Sequence, residues 1–129
     1  MATKIFVVED HELFRDMLVR SLNRIDGLEV CGSSGSAEDA LENLPGTQAD
    51  LALVDVSLPK MNGFDFVSEI RKRCPEVVCV MLSGYRQRAH VNRARALGAQ
   101  AYVAKGDYYQ LKAALQDVIA GRTYFPDFD

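Results

Sequence analysis

Leu51-Ala52-Leu53-Val54-Asp55-Val56-Ser57-Leu58-Pro59-Lys60-Met61-Asn62-Gly63 is the stretch that decides how this chain folds. Leu51 to Val54 is a wholly apolar run with a β-branched member, closed downstream by Pro59 and the turn dipeptide Asn62-Gly63. Such a run reads as a strand buried on both faces, the kind found in parallel sheets. An ionisable carboxylate, Asp55, stands at its end. Burying that charge without a partner costs several kcal/mol (order of magnitude), so it must meet a cation, a proton or water. In a parallel α/β sheet the carboxyl ends of the strands are where ligands bind, which gives Asp55 a reactive address. A helix cap or a solubilising loop residue is the competing reading of the same aspartate.

Four more apolar runs flank this strand. Ile5 to Val8 closes on Glu9 and Asp10, and Leu28 to Cys31 is a short strand candidate. Val77 to Leu82 ends on Ser83-Gly84, and Ala101 to Ala104 is followed by Lys105. Helical stripes lie between them. Leu13, Phe14, Met17, Leu18, Leu22 and Ile25 form the first, ending near Gly27. Gly32 to Ser36 superficially resembles a phosphate cradle, but reads as a loop that delivers Ser36 as the N-cap of a helix carrying Ala40, Leu41 and Leu44. Phe66, Val67 and Ile70 mark a third helix stopped by Pro75, and Arg86 to Leu97 a weakly amphipathic fourth. Asp107 caps a fifth, with Leu111, Ala114, Leu115, Val118 and Ile119 on one face and Gly121 at its end. Five strands alternating with five helices predict a doubly wound α/β domain, a parallel sheet covered on both faces with right-handed crossovers.

A chain of 129 residues, 48% of them hydrophobic, fits one such domain with a sizeable core. A net charge of −3 argues against a nucleic-acid-binding module. No apolar run is long enough to span a membrane, and the opening residues turn acidic too soon for a signal peptide. Cys31, Cys74 and Cys79 form no Cys-x-x-Cys pair, which suits free thiols in a reducing cytoplasm better than zinc or disulfides.

If the sheet is parallel, Glu9, Asp10, Asp55, Ser83 and Lys105 all open onto one rim. Three carboxylates there repel one another unless a cation joins them. Oxygen ligands in a partly hydrated cleft suit Mg²⁺. With a lysine and a hydroxyl nearby, the set describes a site that places a phosphoryl group on a carboxylate, with Asp55 attacking in line.

Val8-Glu9-Asp10, Asp55 with Pro59 and Gly63, Leu82-Ser83-Gly84 and Tyr102-Val103-Ala104-Lys105, in this order and spacing, resemble the receiver domain of a two-component response regulator. The resemblance runs from the first strand to the last helix. It implies a flavodoxin-like sheet of order 2-1-3-4-5, a receiver domain over residues 1–122, and a linker or tail beginning at 123–129. By the same resemblance Asp55 accepts a phosphoryl group from a sensor histidine kinase. Glu9, Asp10, Asp55 and the Ser57 carbonyl hold Mg²⁺, Lys105 pairs with the phosphoryl oxygens, and Ser83 and Tyr102 form the switch. The new charge of about −1.5 to −2 recruits the hydroxyl and biases a bistable loop.

Two departures stand out. Many receivers carry Pro after the lysine, often behind a cis peptide, whereas Gly106 stands here. Glu9 in place of Asp reaches one methylene farther, which allows a water-mediated metal contact. Lys105-Gly106-Asp107 and the tail from Ala120 to Pro126 resemble the branch whose receivers precede a helix-turn-helix DNA-binding domain, used in transcription regulation. That output domain is absent from these residues, and a chain cut before it is the expectation. Homodimerisation on phosphorylation accompanies this reading.

Other readings compete at particular residues. Glu9 and Asp10 would also suit a helix start, Ser83 a turn, and Tyr102 plain core. Arg86, Arg88, Arg93, Arg95 and Lys105, with no acid between them, are either a solvated face or a mobile element read by a partner. His11 and His90 read as surface residues. Three other functions remain open. A Mg²⁺-dependent phosphatase with an aspartyl-phosphate intermediate wants a second acid where Ser57 stands. A flavodoxin-like cofactor binder would cradle phosphate where Glu9 and Asp10 repel it. A phosphorylation-independent interaction scaffold would leave these catalytic parts idle.

Overall fold

The computed structural model describes residues 2–128. Five strands, β1 (Thr3–Val8), β2 (Leu28–Ser34), β3 (Leu51–Asp55), β4 (Val78–Ser83) and β5 (Ala101–Ala104), alternate with five helices. These are α1 (Glu12–Asn23), α2 (Ala37–Asn43), α3 (Gly63–Arg73), α4 (Arg88–Ala96) and α5 (Tyr108–Ile119). All four strand pairs are parallel, and the order across the sheet is β2-β1-β3-β4-β5, as the receiver resemblance implies.

Alternation along each strand divides the core in two. Phe6, Val8, Ala52, Val54, Cys79, Met81 and Tyr102 face α2, α3 and α4. Ile5, Val7, Leu51, Leu53, Val80, Leu82, Ala101 and Val103 face α1 and α5. All five residues of β3 are buried, which is why Leu51 to Val54 carries no polar alternation. Because the chain leaves β1 for one edge and β3 continues toward the other, the topological switch point lies between β1 and β3. The carboxyl ends of those two strands carry Glu9, Asp10 and Asp55.

The helix starts follow ordinary capping chemistry. Ser36 Oγ accepts from Asp39 N–H and Asp107 Oδ1 from Gln110 N–H. Asn62 and Asp65 complete a reciprocal capping box on α3. Gly63, the first residue of α3, cannot be replaced without movement. A Cβ there would run into the Asp55 carbonyl and the Val56 Cα. This close approach holds the loop after β3 against the start of α3.

Several boundaries differ from the sequence reading. Gly32, Ser33 and Ser34 are not loop but the end of β2, paired with Phe6, Val7 and Val8. An edge strand with one face exposed tolerates small polar residues. Leu44–Thr47 forms a short 3-10 helix after α2, and α4 begins at Arg88, two residues later than the pattern suggests. Beyond α5, Tyr124 pairs in parallel with Ala101 on the outer edge of β5.

Candidate functional site

Each polar residue of the site sits just at, or just past, a strand end, where the backbone leaves the sheet and a side chain can face the rim. Asp55 closes β3 and is 2% exposed. Its Oδ1 accepts from the Ser57 N–H at 3.1 Å, and its Oδ2 accepts from Lys105 Nζ at 3.1 Å. Glu9 follows β1 and is 1% exposed. Its Oε2 accepts from the His11 N–H at 3.0 Å, while Oε1 lies 2.8 Å from Lys105 Nζ. That second contact is one of charge, without an aligned hydrogen bond. Asp10, by contrast, is exposed. The three carboxylates offer oxygens that all lie within 4.8 Å of one another.

Lys105 is therefore a bridge between two buried acids. Burial pulls its pKa down, but its close contacts with the carboxylates of Glu9 and Asp55 more than reverse this, and it lies above the ordinary lysine value. Glu9 is raised as well. Burial is the main cause, and the charge of Asp55 adds to it, against the opposing contacts of Lys105 and His11. The pocket thus holds more negative charge than one ammonium comfortably balances, which is the electrostatic condition for binding a further cation.

Ser83 ends β4 and is fully buried. Its Oγ accepts from the Tyr85 N–H at 2.9 Å, and its carbonyl accepts from the Lys105 N–H at 2.8 Å. Tyr102, on β5, is also fully buried, and its hydroxyl donates to the Tyr85 carbonyl at 2.7 Å. The loop after β4 is thereby tied to Ser83 on one side and to Tyr102 on the other.

Lys105 leads into Gly106, whose φ of 90° turns the chain toward α5 through trans peptide bonds. This turn replaces the proline common in receivers. Two neighbours escaped the sequence reading. Phe14, assigned only to a helical stripe, lies beneath the ammonium of Lys105, 5.0 Å from ring centroid to Nζ; its place in the first turn after the acid pair was the available signal. Tyr85 contributes backbone groups, which no residue pattern announces. Of the two histidines read as surface residues, His11 is exposed and His90 only partly so. His11 Nδ1 caps α1 by accepting from Phe14 N–H, and His90 is half-buried and stacks on Tyr85, ring centroids 5.1 Å apart.

With this geometry in hand, the comparison with known proteins is direct. Residues 5–116 match the response regulator receiver domain family. The chain belongs to that family. The DNA-binding transcriptional activator DevR/DosR of Mycobacterium tuberculosis is 36% identical over 121 residues, covering 93% of this chain and 56% of that protein. The response regulator GacA of Pseudomonas syringae pv. syringae is 30% identical over 122 residues, covering 94% of this chain and 57% of that protein. Among solved structures, a two-component response regulator of the LuxR family from Aurantimonas sp. SI85-9A1 superposes with a TM-score of 0.92. Its identity is 25%, covering 97% of this chain and 90% of that one. This receiver domain thus spans little more than half the length of the two sequence relatives. Its described residues include no helix long and apolar enough to cross a membrane.

Proposed function

We propose that this receiver domain is a phosphorylation-operated switch in which Asp55 accepts a phosphoryl group from a sensor histidine kinase. One observation carries the reading: Asp55 shares a pocket with two further carboxylates and an ammonium at the switch point of the sheet. A carboxylate oxygen of Asp55 attacks phosphorus, the bond from phosphorus to the kinase imidazole nitrogen breaks, and the departing imidazole keeps the electron pair and takes a proton from water. Lys105, already within hydrogen-bond distance of Asp55, stays beside the acyl phosphate and balances charge on its oxygens.

The donor set fits Mg²⁺, with one hard carboxylate oxygen each from Glu9, Asp10 and Asp55 clustered within 4.8 Å and Asp10 exposed to water. Glu9, Asp10, Asp55 and the Ser57 carbonyl are the groups that would hold it. Bound there, the ion supplies charge neutralisation for the carboxylates and the phosphoryl oxygens. Ser83 then donates its hydroxyl proton to a phosphoryl oxygen, and through Tyr85 the change reaches Tyr102. The chain's own chemistry stops at self-phosphorylation from small donors and self-dephosphorylation, so it is a regulatory acceptor and not a metabolic enzyme.

The kinase would approach over α1, where Leu13 and Met17 are exposed apolar residues on the helix whose Phe14 ring lies against Lys105. Output is to a DNA-binding domain regulating transcription, by analogy with the DNA-binding transcriptional activator DevR/DosR; a cytoplasmic setting, homodimerisation following phosphorylation and no nucleic-acid contact by this domain complete the reading. Acetyl phosphate with Mg²⁺ should give an acid-stable, base-labile adduct that Asp55→Asn cannot form; failure to label at millimolar Mg²⁺ would remove the proposal. A scaffold that acts without phosphorylation is the second reading. Tyr102 favours it, because the ring is already fully buried with its hydroxyl engaged. Partner binding indifferent to beryllofluoride would select it.

A further inference from the structure

Residues 123–128 return along the outer edge of β5 instead of leaving the domain. The Tyr102 N–H donates to the Tyr124 carbonyl and the Tyr124 N–H to the Gln100 carbonyl, each at 2.9 Å. The segment so covers main-chain groups that an edge strand would otherwise leave open. Farther along, Phe128 meets the ring of Tyr102 edge-on, with centroids 6.3 Å apart and planes at 77°. The Phe128 carbonyl accepts from Arg88 Nε at 3.0 Å, and the Arg86 guanidinium lies 5.3 Å from its ring centroid. One short segment therefore touches β5, the Tyr102 ring, and the basic residues at the entry to α4.

Tyr102 is held from two sides. Its hydroxyl is tied to Tyr85 in the loop after β4, and its ring bears against Phe128. Movement of the ring out of the core would disturb Phe128. Movement of the loop after β4 would displace Arg86 and Arg88, which grip the same residue. Tyr124, Phe125 and Phe128 pack against the core but are only partly buried, and a terminal segment held this way opens more easily than the fully buried strands.

We propose that Thr123–Phe128 is a strap whose docking on β5 is coupled to the inward packing of Tyr102, so that occupancy of the Asp55 site tightens it. The coupling rests on the phospho-acceptor reading above. By linkage, the docked strap in turn raises the affinity of the site for a phosphoryl group or its analogue. The exposed arginines at the entry to α4 acquire a role here: Arg86 and Arg88 anchor the strap and are not merely a solvated face.

Amide hydrogen exchange, followed by NMR on the whole chain with and without beryllofluoride and Mg²⁺, tests this. The Tyr124 amide should exchange roughly tenfold more slowly with the analogue bound. Phe128→Ala should speed exchange at Tyr124 and Tyr102 together and weaken analogue binding several-fold. Arg88→Gln, which spares the aromatic contact, should act in the same direction. Analogue-induced shifts at Ser83 and Lys105 with unchanged exchange at Tyr124 would overturn the strap alone. So would analogue affinity that neither variant alters. No shift at Ser83 or Lys105 would instead sink the phospho-acceptor reading, and the coupling with it.

Discussion

Tyr102 and Tyr85 are joined by a hydrogen bond in which the phenolic hydroxyl donates to the backbone carbonyl over 2.7 Å. Tyr85 also donates its own N–H to Ser83 Oγ. Two residues of the expected switch, on the adjacent strands β4 and β5, therefore meet through one residue whose contribution is main-chain. In the proposed switch, displacement of this one peptide group would couple Ser83 to Tyr102.

Tyr102→Phe should cost about 0.5–1.5 kcal/mol in urea unfolding near neutral pH, since it removes one partly buried hydrogen bond. The effect should depend on pH. Burial raises the Tyr102 pKa above its ordinary value of 10.0, with the neighbouring Ser83 side chain opposing. A phenol with a raised folded value is stabilising throughout the range below 10.0 and loses that contribution as pH climbs through the folded value. The wild-type advantage over the phenylalanine variant should therefore shrink in strongly alkaline solution. An advantage that grows with pH would contradict the burial of this hydroxyl.

Gly63→Ala forces a methyl group against the Asp55 carbonyl. Overpacking at a rigid main-chain contact costs roughly 1–3 kcal/mol. Because the clash is with the proposed acceptor residue itself, Mg²⁺-dependent labelling should fall more than stability alone explains. Chemical denaturation alongside an acetyl phosphate labelling rate separates the two effects.

Lys105→Ala removes the ammonium lying 2.8 Å from Glu9 and 3.1 Å from Asp55. The pocket then has two unbalanced buried acids, and a divalent cation should bind more tightly, roughly three- to tenfold. Phosphorylation should nonetheless slow, because the positive charge beside the phosphoryl oxygens is gone. Thermal shifts across a Mg²⁺ titration, compared with labelling rates, would show the two quantities moving in opposite directions.

Cys79 lies in the core on β4, and burial pushes its thiol up to about 12 against the pull of Arg71. The thiolate is the reactive form, so native protein at mildly alkaline pH should leave Cys79 unmodified while half-buried Cys31 and Cys74 react first. Peptide mapping after brief alkylation reads this directly. Early labelling of Cys79 would mean that the sheet opens far more readily than its packing suggests.

The sheet was legible because a central strand of a parallel α/β fold is buried on both faces and has almost no choice but to be apolar. Leu51 to Val54 and Val77 to Leu82 are such runs, and the polar residue that ends each one marks the rim. What stayed hidden depends on tertiary contact. Gly32 to Ser34 have a turn-like composition, yet they join the sheet because β1 offers them partners. Residues 123–128 show no period at all, and only the open edge of β5 explains their course. His90 sits in a weakly amphipathic helix, where no stripe could reveal that Tyr85 and Phe64 stack on it. At the site, side chains with strong chemistry were readable from sequence; the carbonyl of Tyr85 was not, since every residue has one.

The most direct measurement is to find which residue carries the phosphoryl group after treatment with acetyl phosphate, by borohydride reduction of the acyl phosphate and peptide mapping. The account predicts homoserine at position 55 and nowhere else, formed only when Mg²⁺ is present. Reduction product at any other position, or equal labelling with the metal chelated, would contradict it.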